Sequence, residues 1–165
     1  QKANGYFKLG SEIYDCGPCY GVLDWGRGVW TYSNTWYWSS LNTELNGIPF
    51  GWNLGYGFGD TSASSENMLF YGEKVYKLDD VRFDIPLNKK GKDDFTATWQ
   101  FRSNNCDIQM TFKPVLDRHS KADLLIIAQD AHQVHGYFSG SIVVDGEEFH
   151  FDNLFGFAEK VHNRY

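Results

Sequence analysis

Two aromatic, glycine-rich stretches decide the fold: WGRGVWTYSNTWYW at residues 25–38 and FGWNLGYGFGD at residues 50–60. Successive side chains of a β-strand point to opposite faces, so every second residue shares a face. One face of the first stretch carries Trp30, Tyr32, Asn34, Trp36 and Trp38. One face of the second carries Trp52, Leu54, Tyr56, Phe58 and Asp60, against Gly51, Asn53, Gly55, Gly57 and Gly59 on the other. The pattern predicts two strands with large rings on one face, and a glycine-rich face that a ring or ligand can approach closely.

The rest of the chain shows further short strand patterns at hairpin spacing. The predicted strands cover residues 28–39, 50–59, 67–71, 74–78, 81–85, 95–102, 108–113, 124–129, 133–144 and 148–151. Residues 41–47 are a predicted link, and Pro114 is expected to end its strand because proline has no N–H to donate. Residues 124–129 are expected to be buried, and residues 154–165 to form a short helix or an irregular closing strand. Eight to ten strands with little helix predict an all-β sandwich or barrel.

Composition limits the classes of partner. The chain has 165 residues, enough for one domain over 1–165, with residues 1–24 as a lead-in. A net charge of −6 argues against a nucleic-acid-binding surface. No apolar stretch approaches the roughly 18 residues that span a bilayer, so we expect no transmembrane segment. Three cysteines are too few for a disulfide scaffold, which favours a reducing compartment and the cytoplasm.

Cysteine and histidine motifs give weak signals. Cys16-Gly17-Pro18-Cys19 matches the thioredoxin active-site tetrapeptide, but that chemistry needs a helix start within a βαβ unit, and a tight turn is favoured here. His132 and His135 are three positions apart, and an odd separation puts them on opposite faces of a strand. The other histidines are scattered along the sequence. We therefore expect no metal site and no cofactor.

Acid–base candidates lie near the rings and near the C-terminus. Asp60 ends an aromatic face, while Glu159 and His162 lie close together in the final stretch. A carboxyl group held against rings has a raised pKa and can act as an acid. The alternative for Asp60 is that it caps the Ser/Thr-rich turn that follows it, and Arg27 could equally pair with a carboxylate for structural reasons.

The two opening stretches, together with PVLDR at residues 114–118, HQVHGYFSG at 132–140 and GFAEKVHNRY at 156–165, carry a family resemblance. Over residues 16–165 the chain resembles domain of unknown function 2804, an uncharacterised and mostly bacterial family. The resemblance falls on the carboxyl-terminal half of the full-length family proteins. It implies that the chain belongs to a longer two-domain protein, whose N-terminal half would be a partner.

More distantly, the chain is similar to two-domain lipocalin-like proteins that include carotenoid 1,2-hydratases and the fungal survival-factor family. That similarity implies a lipocalin-like (calycin-like) antiparallel β-barrel or strongly bent sandwich. It also implies acid-catalysed addition of water to an isoprenoid double bond if the protein is an enzyme. The hydratases carry an acidic residue, a histidine, an aromatic residue and a glycine in a short signature, to which Glu159 and His162 correspond only loosely.

Three functions remain open. The first is binding, or modification, of a small apolar ligand such as a lipid or isoprenoid, with Asp60 or Glu159 as the acid in any reaction. Its wall would be Trp30, Tyr32, Trp36, Trp38, Trp52, Tyr56 and Phe58, and its polar contacts Arg27, Asn34, Asn53 and Asp60. The second is carbohydrate binding, which needs exposed coplanar rings. The third is a structural half-domain whose missing half completes the site, with a homodimer of the fragment as one consequence of an exposed apolar patch.

Overall fold

The computed structural model describes residues 2–17, 19–60, 62 and 65–164. These residues form strands and turns but no helix, which confirms the all-β prediction. The strands are β1 (Tyr6–Leu9), β2 (Glu12–Asp15), β3 (Ser33–Leu45), β4 (Ile48–Tyr56), β5 (Met68–Tyr71), β6 (Lys74–Lys77), β7 (Val81–Asp84), β8 (Trp99–Ser103), β9 (Ile108–Leu124), β10 (Ile127–Val144) and β11 (Glu147–Arg164). No described helix has the length and apolar character needed to cross a membrane.

Nine strands form one antiparallel sheet in the order β6-β5-β4-β3-β11-β10-β9-β8-β7, and β1 and β2 form a separate hairpin. The long sheet curls into a half-barrel. Its curvature brings β4 close to the edge strand β7, where the Tyr56 hydroxyl accepts a hydrogen bond from the backbone N–H of Phe83 at 3.2 Å. The prediction of a barrel or a strongly bent sandwich is therefore confirmed.

The inner face of the half-barrel is a packed aromatic core. Its largest fully buried side chains include Trp52, Trp99, Phe101, Phe112 and Phe138. Trp52 meets Phe138 edge-on at 5.0 Å between ring centroids, an arrangement that aromatic pairs prefer. Rings from β4 and from β8 to β10 thus fill the space that the curled sheet encloses.

The opening stretches fold with shifted boundaries. Strand β3, predicted to span residues 28–39, begins at Ser33 instead. It continues to Leu45, through most of the segment 41–47 that was predicted to be a link. Asn46 and Gly47 then form a two-residue turn in which both residues have positive φ, which is the requirement of the tight hairpin turn. The second strand ends at Tyr56 because Gly57 and Gly59 have φ values of 88° and 75°.

The largest error in the predicted strands concerns Pro114, which does not end its strand. β9 continues past it to Leu124 because the register shifts there: Gly136 pairs with Pro114, whereas His135 pairs with Leu116. Val115, between Pro114 and Leu116, is therefore the extra residue of a β-bulge. A bulge tolerates a neighbouring proline because the ladder already lacks a hydrogen bond there.

The predicted buried strand at residues 124–129 is also wrong. Leu125 and Ile126 form the turn between β9 and β10, and Leu125 is 93% exposed with φ of 61°. Residues 154–164 belong to β11, so the closing-strand alternative holds. The strand predicted to start at residue 95 starts at Trp99, because the Asp94 carboxylate accepts hydrogen bonds from the N–H groups of Thr96 and Ala97 and forms a turn.

Candidate functional site

The pairing of β3 with β4 decides which rings meet. Trp38 pairs with Gly55, and Leu41 pairs with Trp52. Even-numbered residues of β3 therefore share a face with odd-numbered residues of β4. Trp36, Trp38 and Asn53 lie on the outer face, whereas Trp52 and Tyr56 lie on the inner face. The predicted wall is thus divided: Trp52 belongs to the core, and Tyr56 stacks on Tyr37 at 4.5 Å.

The outer face carries an aromatic groove with a volume of about 390 Å³. Its lining residues are Val22, Leu23, Asp24, Gly26, Trp30, Trp36, Trp38, Asn53, Phe58, Glu66 and Glu159. The Phe58 ring lies 4.6 Å from that of Trp30 and 5.3 Å from that of Trp36, with interplanar angles of 53° and 81°. The rings therefore surround a volume from different directions instead of forming a flat platform.

Glu159 is the most buried acidic group in the groove, with 8% of its surface exposed. It lies on β11 directly opposite Trp38. Its two carboxylate oxygens accept hydrogen bonds from Trp36 Nε1 and Gln133 Nε2, each at 3.2 Å. Burial raises the pKa of the Glu159 carboxyl group, and the nearby Asp24 charge raises it further, while the two hydrogen bonds oppose the shift. This is the environment of a carboxyl group that keeps its proton to a higher pH than usual.

A second acidic group reaches the groove through Asn53. Trp38 Nε1 donates to Asn53 Oδ1 at 2.8 Å, and Asn53 Nδ2 donates to Glu66 Oε2 at 2.9 Å. Gly55 provides the room, since a Cβ at that position would lie 2.5 Å from Glu66 Oε1. Glu66 was not among the predicted site residues, because only the pairing of β4 with β5 brings its segment beside Asn53.

Every charged residue in the described lining of the groove is acidic. Asp24, Glu66 and Glu159 contribute carboxyl groups, and no lysine or arginine is among the described lining residues. The groove therefore combines apolar rings with hydrogen-bond acceptors of negative charge. It suits a ligand with an apolar body and a polar group that donates hydrogen bonds.

Asp60 lies in a different environment from Glu159. It is exposed, and its carboxylate accepts a hydrogen bond from Ser62 N at 3.0 Å. Hydrogen bonds from Ser62 lower the pKa of Asp60, which is the opposite of what a general acid needs. The geometry favours the capping interpretation for Asp60.

The remaining predicted residues do not join the groove. Arg27 is exposed in the segment before β3, and the Tyr32 hydroxyl donates to the carbonyl of Ile126 at 2.9 Å. Asn34 is buried where β3 pairs with Asn163 of β11. His162 lies on the inner face, with its Nδ1 2.7 Å from the Thr35 hydroxyl.

Comparison with known proteins gives one match. A family model described as Domain of unknown function (DUF2804) matches residues 1–165. The chain belongs to this family. No curated protein and no solved structure matches it. The similarity of this DUF2804 domain to lipocalin-like hydratases, and its cytoplasmic location, remain predictions.

This DUF2804 domain also has a cavity of about 590 Å³ at one end of the inner face, beyond the packed core. Its lining residues are Thr35, Tyr37, Asn88, Lys92, Asp93, Phe95, Asp130, His132, Lys160 and His162. A Lys160–Asp93 ion pair of 2.5 Å links β11 to the loop that follows β7. The inner cavity is therefore more polar than the aromatic groove on the outer face.

The structure brings together histidines that the sequence left apart. His119 on β9 pairs directly with His132 on β10, and their rings stack at 3.9 Å between centroids. His135 lies near Phe157 on the outer face, as its odd separation from His132 predicts. The His119–His132 pair was missed because the turn between their strands was predicted to be a buried strand.

Proposed function

We propose that this DUF2804 domain binds a small ligand with an apolar body in the aromatic groove of its outer face. The observation that carries the proposal is the meeting of three tryptophans and Phe58 around one volume that also contains the buried Glu159. Rings at angles of 53° and 81° can contact a ligand from several sides. Apolar walls with a few fixed polar groups are the usual composition of a small-molecule site.

The polar contact of this ligand would be a hydroxyl or another hydrogen-bond donor. Glu66 accepts hydrogen bonds when it is ionised, and the Glu159 carboxyl group keeps an acceptor oxygen even when it is protonated, so both can orient a donor group of the ligand. An isoprenoid alcohol has both required parts, an apolar chain and a terminal hydroxyl. Among the predicted acids, Glu159 is the group suited to protonate a double bond, since its burial favours the protonated form.

Carbohydrate binding is less well supported by the same geometry. Sugars stack on exposed rings that are nearly coplanar, whereas Trp36 and Phe58 meet edge-on and Trp36 is half-buried. The groove does offer acceptors for sugar hydroxyls through Glu66 and Glu159. A soluble oligosaccharide therefore belongs in the same binding experiment as a competing candidate.

A structural role is favoured by a different observation. Leu124, Leu125, Ile126 and Ile127 are all exposed at the β9–β10 turn. Contiguous apolar surface of this kind is typical of a docking site for another domain or another copy of the chain. Light scattering that gives a monomer at high concentration would count against self-association through this turn.

The test of the groove is calorimetric titration with geranylgeraniol, oleate and cellobiose. We expect saturable binding of the isoprenoid alcohol, a loss of at least about tenfold in Trp36→Ala, and no change in Trp25→Ala, whose ring is exposed outside the groove lining. Equal affinity in both variants, or preference for cellobiose, would contradict the proposal.

Glu159→Gln should retain binding but lose any hydration product detected by mass spectrometry. Product formation by that variant would remove Glu159 from the acid role.

A further inference from the structure

A group of metal-ligand side chains lies on the inner face of the β9–β10 hairpin, away from the aromatic groove. His119 and His132 are directly opposite each other in the strand pairing, and Asp130 precedes His132 by two residues on the same face. Directly opposite residues on paired strands have Cβ atoms about 4.5–5.5 Å apart, so the hairpin itself brings the two imidazoles together. One ligand atom from each of the three side chains lies within 4.8 Å of the others.

The ligand atoms converge on one oxygen of Asp130. Its Oδ1 atom lies 2.8 Å from His119 Nε2 and 3.6 Å from His132 Nε2. The other oxygen, Oδ2, accepts a hydrogen bond from Lys121 Nζ at 2.6 Å. Lys121 therefore holds the carboxylate by its far oxygen and leaves Oδ1 directed at the two histidines.

A second carboxylate fixes the orientation of His132. Asp117 Oδ2 lies 2.8 Å from His132 Nδ1, and these side chains are only 18% and 17% exposed. His119 stacks on one face of the His132 ring, and Phe95 stacks on the opposite face at 3.6 Å between ring centroids. A histidine ligand whose second nitrogen donates to a carboxylate is the usual arrangement at protein metal sites, because that hydrogen bond sets the tautomer and the ring orientation.

This tautomer leaves an unfavourable contact that a cation would relieve. When Nδ1 of His132 donates to Asp117, its Nε2 presents a lone pair to Asp130 Oδ1 at 3.6 Å. Two acceptors that face each other at this distance repel. A proton on Nε2 or a metal ion bound by both atoms would remove the repulsion, and His119 Nε2 lies close enough to supply a third ligand.

We propose that His119, Asp130 and His132 form a binding site for a divalent first-row transition metal, with Asp117 as the residue that positions His132. Two imidazole nitrogens and one carboxylate oxygen are a ligand set for Zn²⁺ or Fe²⁺, whereas Mg²⁺ and Ca²⁺ prefer oxygen ligands alone. Asp130 and His132 also line the inner cavity of about 590 Å³. Open coordination positions of the metal would therefore face a space that can hold water or a small ligand.

Binding requires two local adjustments. The metal would replace the hydrogen bond of 2.8 Å between His119 Nε2 and Asp130 Oδ1, so that His119 would carry its proton on Nδ1 instead. The two imidazoles are also nearly parallel, with an interplanar angle of 7°, so their Nε2 atoms do not point at one position. Zn–N bonds of about 2.0–2.1 Å require one ring to tilt. His119 can tilt because its side chain is exposed and not held by a second carboxylate, while His132 stays fixed between Asp117 and Phe95.

The experiment is titration of the full chain with Zn²⁺ by calorimetry and with Co²⁺ by absorption spectroscopy. Cys16, Cys19 and Cys106 are free thiols that could bind these metals, so all three are replaced by serine in the background protein. We expect one equivalent to bind, and a cobalt spectrum with d–d bands but no thiolate charge-transfer band. His119→Ala and Asp130→Asn should weaken the affinity at least about tenfold, and Asp117→Asn by about 10–100-fold.

His150→Ala is the matched control, since His150 is an exposed histidine beside Glu148 on β11 and should not affect metal binding. Circular dichroism shows whether each variant is folded before its affinity is compared. Three outcomes would overturn the proposal: no saturable binding in the cysteine-free protein, equal affinity in His119→Ala, or an effect of His150→Ala as large as that of His119→Ala. The first outcome would mean that His119, Asp130 and His132 do not form a metal site.

Discussion

Trp36 and Trp52 offer a direct comparison between the two faces of the sheet. Each indole N–H donates a hydrogen bond of 3.2 Å, from Trp52 to the Ser39 hydroxyl and from Trp36 to the Glu159 carboxylate. Trp52 is 1% exposed, whereas Trp36 is half-buried. The same residue type thus contributes to a sealed core on one face and to an open groove with a charged partner on the other.

The difference comes from what covers each face. The curled sheet brings the rings of Phe138 on β10 and Phe151 on β11 against Trp52, so its environment is closed by the fold itself. Trp36 is instead contacted by the ring of Phe58, which in turn packs on the exposed ring of Trp30. Aromatic residues on a strand therefore do not identify a core or a site until the curvature of the sheet is known.

The largest expected effect is on stability when the buried ring is removed. Trp52→Ala should lower the free energy of unfolding by about 3–5 kcal/mol, because a fully enclosed ring leaves a cavity that its neighbours cannot fill. Trp36→Ala should cost clearly less, since water can enter the groove. Urea unfolding of both variants checks the comparison, and an equal cost would mean that the groove is as much a part of the core as Trp52 is.

A smaller effect is expected at two glycines of the outer face. A Cβ at Gly51 would lie 2.4 Å from the backbone oxygen of Leu41, whereas one at Gly55 would lie 2.5 Å from the flexible carboxylate of Glu66. Gly51→Ala should cost about 1–3 kcal/mol, since a backbone contact cannot relax easily. Gly55→Ala should cost less, because Glu66 can swing away from Asn53.

Thermal unfolding ranks the two glycine variants, and ligand titration separates their effects on the groove. Gly55→Ala should alter ligand affinity, while Gly51→Ala should alter stability alone. The reverse assignment would contradict the role given to Gly55 in making room for Glu66.

Local sequence patterns were sufficient to predict part of this structure. Alternation places Trp36 and Trp38 of β3 on one face and Ser33 and Thr35 on the other. The Asn46-Gly47, Gly72-Glu73 and Asp145-Gly146 pairs mark hairpin turns that the structure contains. These features depend on residues close together in the chain. The all-β class follows from them.

The same local patterns do not predict strand register, that is, which residues of two neighbouring strands pair. A shift of one residue between β3 and β4 would have put Trp38 and Trp52 on one face, which is the arrangement that the sequence suggested. The turn at Leu125 and Ile126 lacks the residues that usually form turns, so β9 and β10 were not recognised as one long hairpin. His119 and His132 are equally distant from that turn, and their pairing follows only once the turn is located.

The smallest expected effect is a pH dependence with opposite signs at two carboxyl groups. The folded pKa of Glu159 is raised by burial, so the native state holds this proton more tightly than the unfolded state does. Its stabilising contribution is complete below the ordinary value of 4.5 and is lost as the pH rises through the raised pKa. Wild type should therefore lose stability relative to Glu159→Gln as the pH rises above 4.5.

Asp60 provides the matched control because its folded pKa is lowered. Its contribution is present above the ordinary value of 3.8 and is lost as the pH falls through the lowered pKa, so wild type should lose stability relative to Asp60→Asn only in acid. Urea unfolding from pH 3 to pH 8 measures both differences. If wild type instead gained on Glu159→Gln as the pH rose, the hydrogen bonds from Trp36 and Gln133 would outweigh burial. Glu159 would then be a fixed negative charge in the groove, able to bind a donor but unsuited to supply a proton.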